Sequence, residues 1–345
     1  MGHSRRPGDW PGLAEMFLCG SRGRLTLSHK IHALSTEGKL MPRLFAIAVA
    51  LGLFVYENTT THSQPQAARQ GLEGTWDFSM LTPLQRPPEF ADRPYITALD
   101  AAAWSRRVRT AADSSRDPTV PAVEEQIWFE RGQFATLQGR VPTSLIVDPA
   151  DGRMPALTPD RQRRIGERRA LSERADGPED RSLSERCLRA VSGPPYLPSP
   201  DANTLRIVPS NGVIALTAEK FHETRLVVVG RREHLPPTLR SWSGDAIGRW
   251  DDSTLVIDTT NFSPEISLTG NYDGNLHLVE RLTRLDVDTL LYEAAIDDTS
   301  AFVRPWKIAV PMRKVNVPLY EFACHEGNYG LRNILSGARA EERQR

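Results

Sequence analysis

The chain has 345 residues with 43 Lys and Arg against 43 Asp and Glu, and it is 39% hydrophobic and 25% charged. That length buries a sizeable core, and the even charge argues against nucleic-acid or anionic-membrane partners. No apolar run reaches the ~20 residues that span a bilayer, and 26 prolines favour short elements joined by long loops.

Residues 1–40 mix Arg, Gly, Ser and Pro without a sustained period. After Met41-Pro42-Arg43 come twelve apolar or glycine residues, Leu44 to Val55, and then a polar stretch from Tyr56 to Ser63. A basic start, an apolar centre of this length and small residues at Thr61 and Ser63 describe a secretory signal peptide over 41–63. The alternative is a buried helix or a retained anchor. The fit requires synthesis to begin at Met41, so 1–40 reads as a misassigned start or a disordered segment. A linker over 64–73 and a single mainly-β domain over 74–345 follow, with a loop and helix insertion at about 81–195. The exported form then keeps 36 basic and 39 acidic residues, with no stable membrane span after cleavage.

Thr75 to Met80 opens the domain as a strand, and Leu81 to Pro94 is a proline-rich extended strap. Thr97 and Asp100 are spaced as a weak capping box for a helix to about Thr110, with a linker over 111–121. Gln126–Arg131 and Ser144–Asp148 read as strands. Thr158-Pro159-Asp160 supplies an N-cap, a proline at the first helical position and an acid facing the helix dipole, so a helix runs to about Arg174. Its six arginines and two glutamates read as a solvated face rather than a nucleic-acid reader. Ser182 to Glu185 forms a capping box that starts a short helix holding Cys187.

From Leu205 on, roughly ten strands follow at hairpin spacing. Asn211-Gly212 joins Leu205–Ser210 to Val213–Glu219 as a type I′ turn, and Arg225–Val229 adds a strand. Ala246–Trp250, Thr254–Thr260, Leu276–Leu285 and Leu290–Asp297 make two further hairpins, and Lys307–Met312 and Leu319–Ala323 complete the set. Runs of Val, Ile, Leu and Thr between polar turns are the antiparallel strand pattern. The expected fold is therefore mainly β: an antiparallel meander closing into a lipocalin-like barrel or a curved two-sheet sandwich, with two or three short helices outside.

Cys19 lies ahead of the expected cleavage point, leaving Cys187 and Cys324. In an oxidising compartment they form a disulfide, the alternative being two unrelated buried thiols. No catalytic, phosphate-loop, dinucleotide or metal-ligand motif is present, so no cofactor and no metal are expected. The densest polar run is Cys324-His-Glu-Gly-Asn-Tyr-Gly330. With His222 and Trp250 it supplies the candidate site: His325, Glu326, Asn328, Tyr329, His222 and Trp250. Those groups can bind a ligand or move protons, and turn chemistry with two glycines accounts for the same residues structurally. His234 and His277 stand singly in the sequence, as metal ligands or as hydrogen-bonded histidines.

The chain resembles a large group of secreted bacterial proteins of unassigned function. The resemblance is carried by Thr143 to Pro149 with Asp151-Gly-Arg, Asp180-Arg-Ser-Leu with Glu185-Arg-Cys187, and Gly248-Arg-Trp with Thr254 to Phe262. It continues through Val279-Glu-Arg, Arg304-Pro-Trp306 and Tyr320 to Gly330. It covers about Gly74 to Ala338, and departs at Asp251-Asp252-Ser253, where Glu-Gly-Asp is usual. It carries no catalytic residues over. Gly74-Thr75-Trp76 soon after a signal peptide is also similar to lipocalin-like barrels, which implies a barrel with a cavity. The leading functional expectation is a secreted or periplasmic protein binding a small molecule inside such a barrel. The alternatives are an envelope enzyme, a hydrolase or isomerase, using the 324–330 turn, and a structural or interaction module. Nothing in the sequence sets an oligomeric state.

Overall fold

The computed structural model describes residues 71–114, 130, 132–189, 193–264 and 274–344. The expectations for 1–40, 41–63 and most of the 64–73 and 111–121 linkers lie outside those residues. The strand over Gln126–Arg131 does too, apart from Glu130, which has no assigned structure.

Twelve strands form among the described residues: β1 (Gly74–Asp77), β2 (Tyr95–Ile96), β3 (Val141–Pro142), β4 (Ile146–Asp148), β5 (Thr204–Pro209), β6 (Val213–Ala218), β7 (Thr224–Val229), β8 (Asp245–Asp251), β9 (Thr254–Thr260), β10 (His277–Arg284), β11 (Thr289–Asp297) and β12 (Trp306–Val315). Three helices accompany them: α1 (Ala98–Ser114), α2 (Pro159–Arg174) and α3 (Gly330–Glu342). β1 pairs with β5 on one side and with β12 on the other, so nine strands close a ring in the order β1-β5-β6-β7-β8-β9-β10-β11-β12. β4 adds to β12, and β2 with β3 makes a separate two-stranded ribbon. The barrel is therefore the form taken, and closure removes the open edges that an unpaired meander would expose.

Side-chain alternation explains the ring. In β11, Leu290, Tyr292, Ala294 and Ile296 are buried, and their register partners Met312, Val310, Ile308 and Trp306 on β12 are buried with them. β10 offers Leu278, Glu280 and Leu282 to the same interior. Burying alternate apolar side chains on every strand makes one core, since partners across a ladder share a face. Gly248 is required on β8 because a Cβ there would stand 2.7 Å from Val227 Cγ1 on the neighbouring strand.

Four expectations need correction. The sheet is mixed: β7 and β8 run parallel, Val227 beside Ala246, and the 230–244 segment makes the crossover. Among the described residues eight strands form from Thr204 on where roughly ten were expected, and of the nine named, 319–323 pairs with no strand. That segment is held instead by Phe322, whose ring stacks on Phe221 at 4.7 Å and whose N–H donates to His222 Nε2 at 2.8 Å. The 182–188 run makes turns rather than a helix. The capping box itself forms, Glu185 N–H to Ser182 Oγ at 3.2 Å and Ser182 N–H to Glu185 Oε2 at 2.9 Å. Cys187 then adopts φ +52° to meet Cys324, which ends the helical path. In the Asn211-Gly212 turn only Gly212 takes a positive φ, +75°, so the turn is not type I′, which needs both.

Elsewhere the local signals hold. Thr97 Oγ1 accepts the Asp100 N–H at 3.1 Å at the start of α1. Thr158 Oγ1 accepts the Arg161 N–H at 3.2 Å at the start of α2. Arg163 and Arg164 pair with Asp160, and Arg169 with Glu173, so most of α2's charge is a solvated, salt-linked face. Arg161 alone on that helix is buried. Helix α3 has no counterpart in the expectations. The Cys187–Cys324 disulfide is present, with a Cα separation of 5.7 Å, and ties the 182–188 turns to the strap after β12. Among the described residues no helix is long and apolar enough to cross a membrane.

Candidate functional site

The residues singled out in the sequence do not converge. His325, Glu326, Asn328 and Tyr329 are all exposed, and Tyr329 keeps 64% of its surface. Asn328 organises the turn: its Oδ1 accepts the Gly330 N–H at 2.9 Å and its Nδ2 donates to Cys324 O at 3.0 Å. His325 and Glu326 make no side-chain hydrogen bond among the described residues. His222 is exposed, and its Nε2 accepts the Phe322 N–H, which ties it to the 319–323 segment. Trp250 packs against the barrel core on β8, and its indole N–H has no acceptor among the described residues.

Much of the barrel interior is closely packed among the described residues. Trp76, Leu205, Ile207, Leu216, Ile257 and Tyr292 have no accessible surface, so they border no void that a water could enter. A polar network crosses this interior. Arg225 on β7 donates to Glu280 Oε2 at 2.6 Å and to Glu280 Oε1 at 2.9 Å, while Tyr292 OH donates to Glu280 Oε1 at 2.9 Å. Burial works against the Arg225 cation, but the facing Glu280 carboxylate outweighs it and leaves the guanidinium pKa above its ordinary value. Burial pushes the Tyr196 and Tyr292 phenols up. Tyr196, from the Gly193-Pro-Pro-Tyr segment, meets Tyr292 edge-on at 5.5 Å and lies under the Arg225 guanidinium at 5.7 Å. A second buried pair, Arg189 with Glu223 at 2.6 Å, sits beside it. Burial raises the Glu223 carboxyl against the opposing pull of Arg189. These groups are neutralised among themselves within the barrel interior.

Two features open to solvent have chemical capacity. The first is a chain of histidines and carboxylates outside β8, β9 and β10. Asp245 Oδ2 lies 2.9 Å from His234 Nδ1, and Asp258 Oδ1 lies 3.1 Å from His234 Nε2 and 2.9 Å from His277 Nε2. Burial works against the Asp245 carboxylate. The Leu235 N–H, Arg231 and His234 outweigh it and hold its pKa below the usual range. Both His234 nitrogens face carboxylates, which fixes the orientation of the ring. The chain fastens the 230–244 crossover to the barrel and can pass a proton along its length. Among the described residues no three His, Cys, Asp or Glu are arranged to hold a metal.

The second is a groove of about 400 Å³ on the outside of β1, β12 and β11, walled by residues 132–136. Asp77, Arg313, Thr289 and Pro311 line its floor, and Ser79, Met80, Gln133, Phe134 and Thr136 contribute to its sides. Asp77 is fixed in place: its Oδ1 accepts the Ser79 N–H at 2.8 Å and its Oδ2 accepts Arg313 Nη2 at 2.9 Å. The wall is equally held. Leu81 N–H donates to Gln133 O at 2.9 Å, Ala135 N–H to Thr82 Oγ1 at 2.8 Å, and Arg109 of α1 to Gly132 O at 2.8 Å. Gly132 has φ +50°, and a Cβ there would stand 2.6 Å from the Met80 backbone, so the close approach needs glycine. Phe134 packs edge-on against Trp104 of α1 at 5.3 Å. Sequence reasoning missed this place because its residues come from four separate segments. The one local signal is the wall glycine, Gly132.

No protein-family model matches the chain, and a search of curated proteins returns no match.

Proposed function

We propose that this is a secreted or periplasmic protein that binds a small molecule in the groove outside β1, β12 and β11, not within the barrel. The observation that carries this reading is the groove itself. Its volume of about 400 Å³ falls in the range of small-ligand sites, and a few convergent polar groups stand among apolar ones. Its walls are held by backbone and side-chain hydrogen bonds on both sides, so binding costs little ordering. Export is supported by the 41–63 pattern, by the resemblance to secreted bacterial proteins and by the Cys187–Cys324 disulfide, a bond that persists in oxidising compartments.

The test is ligand-observed NMR with a mixed fragment library, on the native protein and on variants whose groove is filled, Ser79→Trp and Thr136→Trp. Fragments that bind the native protein and are lost in both filled variants are the expected result. Binding that is unchanged in the filled variants overturns the location, and no binding at all overturns the function. N-terminal sequencing of the exported protein is expected to start near Gln64.

A further inference from the structure

We infer that the groove takes a neutral, hydroxyl-rich ligand of the saccharide class, an inference that rests on the binding reading above. The first argument is charge. The groove is lined by one carboxylate, Asp77, and one guanidinium, Arg313, joined at 2.9 Å. Every other lining side chain is neutral, so the site presents no net charge. A charged ligand would have to break the pair or leave its own charge uncompensated, at a desolvation cost that a neutral ligand avoids.

The second argument is hydrogen-bond valence. Asp77 accepts one bond at each carboxylate oxygen, and each oxygen keeps a further lone pair. Arg313 is 74% exposed at its side chain and uses only Nη2 on Asp77, so most of its N–H donors are left for a ligand. An acceptor fixed beside a planar fork of donors suits two adjacent hydroxyls, one donating to the carboxylate and its neighbour accepting from the guanidinium. A hydroxyl does both, unlike a carboxylate, which only accepts, or an ammonium, which only donates. Ser79, Thr136, Thr289 and Gln133 add groups that likewise donate and accept.

The third argument is the wall of the groove, where the half-buried Met80 and Phe134 add apolar surface beside the polar groups. A sugar ring has polar edges and C–H faces, and a site that sets polar groups beside an aromatic ring and a thioether matches both.

The experiment is saturation-transfer NMR and titration calorimetry with maltose, cellobiose, lactose and chitobiose, run beside acetate, glutamate, butylammonium and toluene. At least one disaccharide is expected to bind with a Kd of about 1 mM or tighter. Asp77→Asn and Arg313→Gln are each expected to weaken it about tenfold, the loss of one hydrogen bond to a charged group. Arg313 is exposed and Asp77 part-buried, and the melting temperature of each variant checks that the fold is retained. Binding of a charged or apolar probe in the groove without any disaccharide overturns the ligand class while leaving the site. A disaccharide whose affinity neither variant changes overturns the assignment of its site. Silence from all eight probes overturns the inference, and the fragment library then decides whether the groove binds anything.

Discussion

Replacing Glu280 by Gln tests whether the polar network inside the barrel holds the fold together as the geometry requires. Glu280 has no accessible surface and accepts three hydrogen bonds, two from Arg225 and one from Tyr292. Gln keeps the shape but removes the charge and turns one acceptor oxygen into a donor. The Arg225 cation then remains buried, with one acceptor oxygen at position 280 where it had two. Hydrogen bonds to charged groups contribute about 1.5–3 kcal/mol each, and breaking a buried pair at one partner costs about 3–5 kcal/mol. E280Q is therefore expected to lower unfolding stability by about 3–5 kcal/mol, measured by urea titration with the disulfide intact. The paired variant R225M/E280L removes both charges, and its stability is expected to exceed that of E280Q by at least about 2 kcal/mol, because no lone ion is left in the core. An E280Q variant within about 1 kcal/mol of the parent, or a paired variant weaker than E280Q, would refute the reasoning.

Reducing Cys187–Cys324 opens a loop of 137 residues, for which chain entropy predicts a loss of about 5 kcal/mol. Melting with and without reductant reads it directly, and coincident curves would count against the bond's contribution. Thr158→Ala removes the N-cap of α2 and is expected to cost about 1 kcal/mol by denaturant titration, whereas Thr158→Ser should lose little. Asp245 supplies a pH test. Its folded pKa lies below the unfolded value, so it adds stability above the unfolded value that is lost as pH falls through the folded one. Asp245→Asn is expected to flatten the acid limb of a stability–pH profile below about pH 4, and an unchanged limb would show that the carboxylate contributes nothing there.

Strands were legible where the determinants are local. Thr254–Thr260 and its partner around Gly248-Arg-Trp announce a hairpin by a Val-, Ile-, Leu- and Thr-rich run and a polar turn, and the structure keeps both strands. The parallel β7–β8 pairing was not legible, because nothing in Arg225–Val229 or Ala246–Trp250 encodes direction. The long crossover between them, fastened by His234 to Asp245 and Asp258, does. Cys187 and Phe322 failed as helix and strand residues for a related reason. A disulfide and a ring stack formed across the chain override their local preferences. The polar run at 324–330 looked like a site because its residues are chemically versatile. Of that run only Asn328 lines a concavity, an open one shared with helix α3, whereas the groove gathers Asp77, Thr289 and Arg313 by strand register and Gln133 from a separate segment.

Closure of the ring has a consequence for how the chain reaches this state. Thr75 pairs with Val315, so the first barrel strand waits for the last, and its other neighbour, β5, arrives only after the whole 81–195 insertion. Contacts so distant along the chain are slow to form, since loop entropy is lost before any ladder bond is gained. A chain emerging N-terminus first can assemble the β5–β6 and β8–β9 hairpins early, but it cannot seal. Until Trp306–Val315 is in place, β1 and β11 each present an unpaired edge that other strands can join. The late intermediate is thus a nearly complete, open sheet, and a chain cut short before Trp306 is expected to aggregate rather than fold to a smaller barrel.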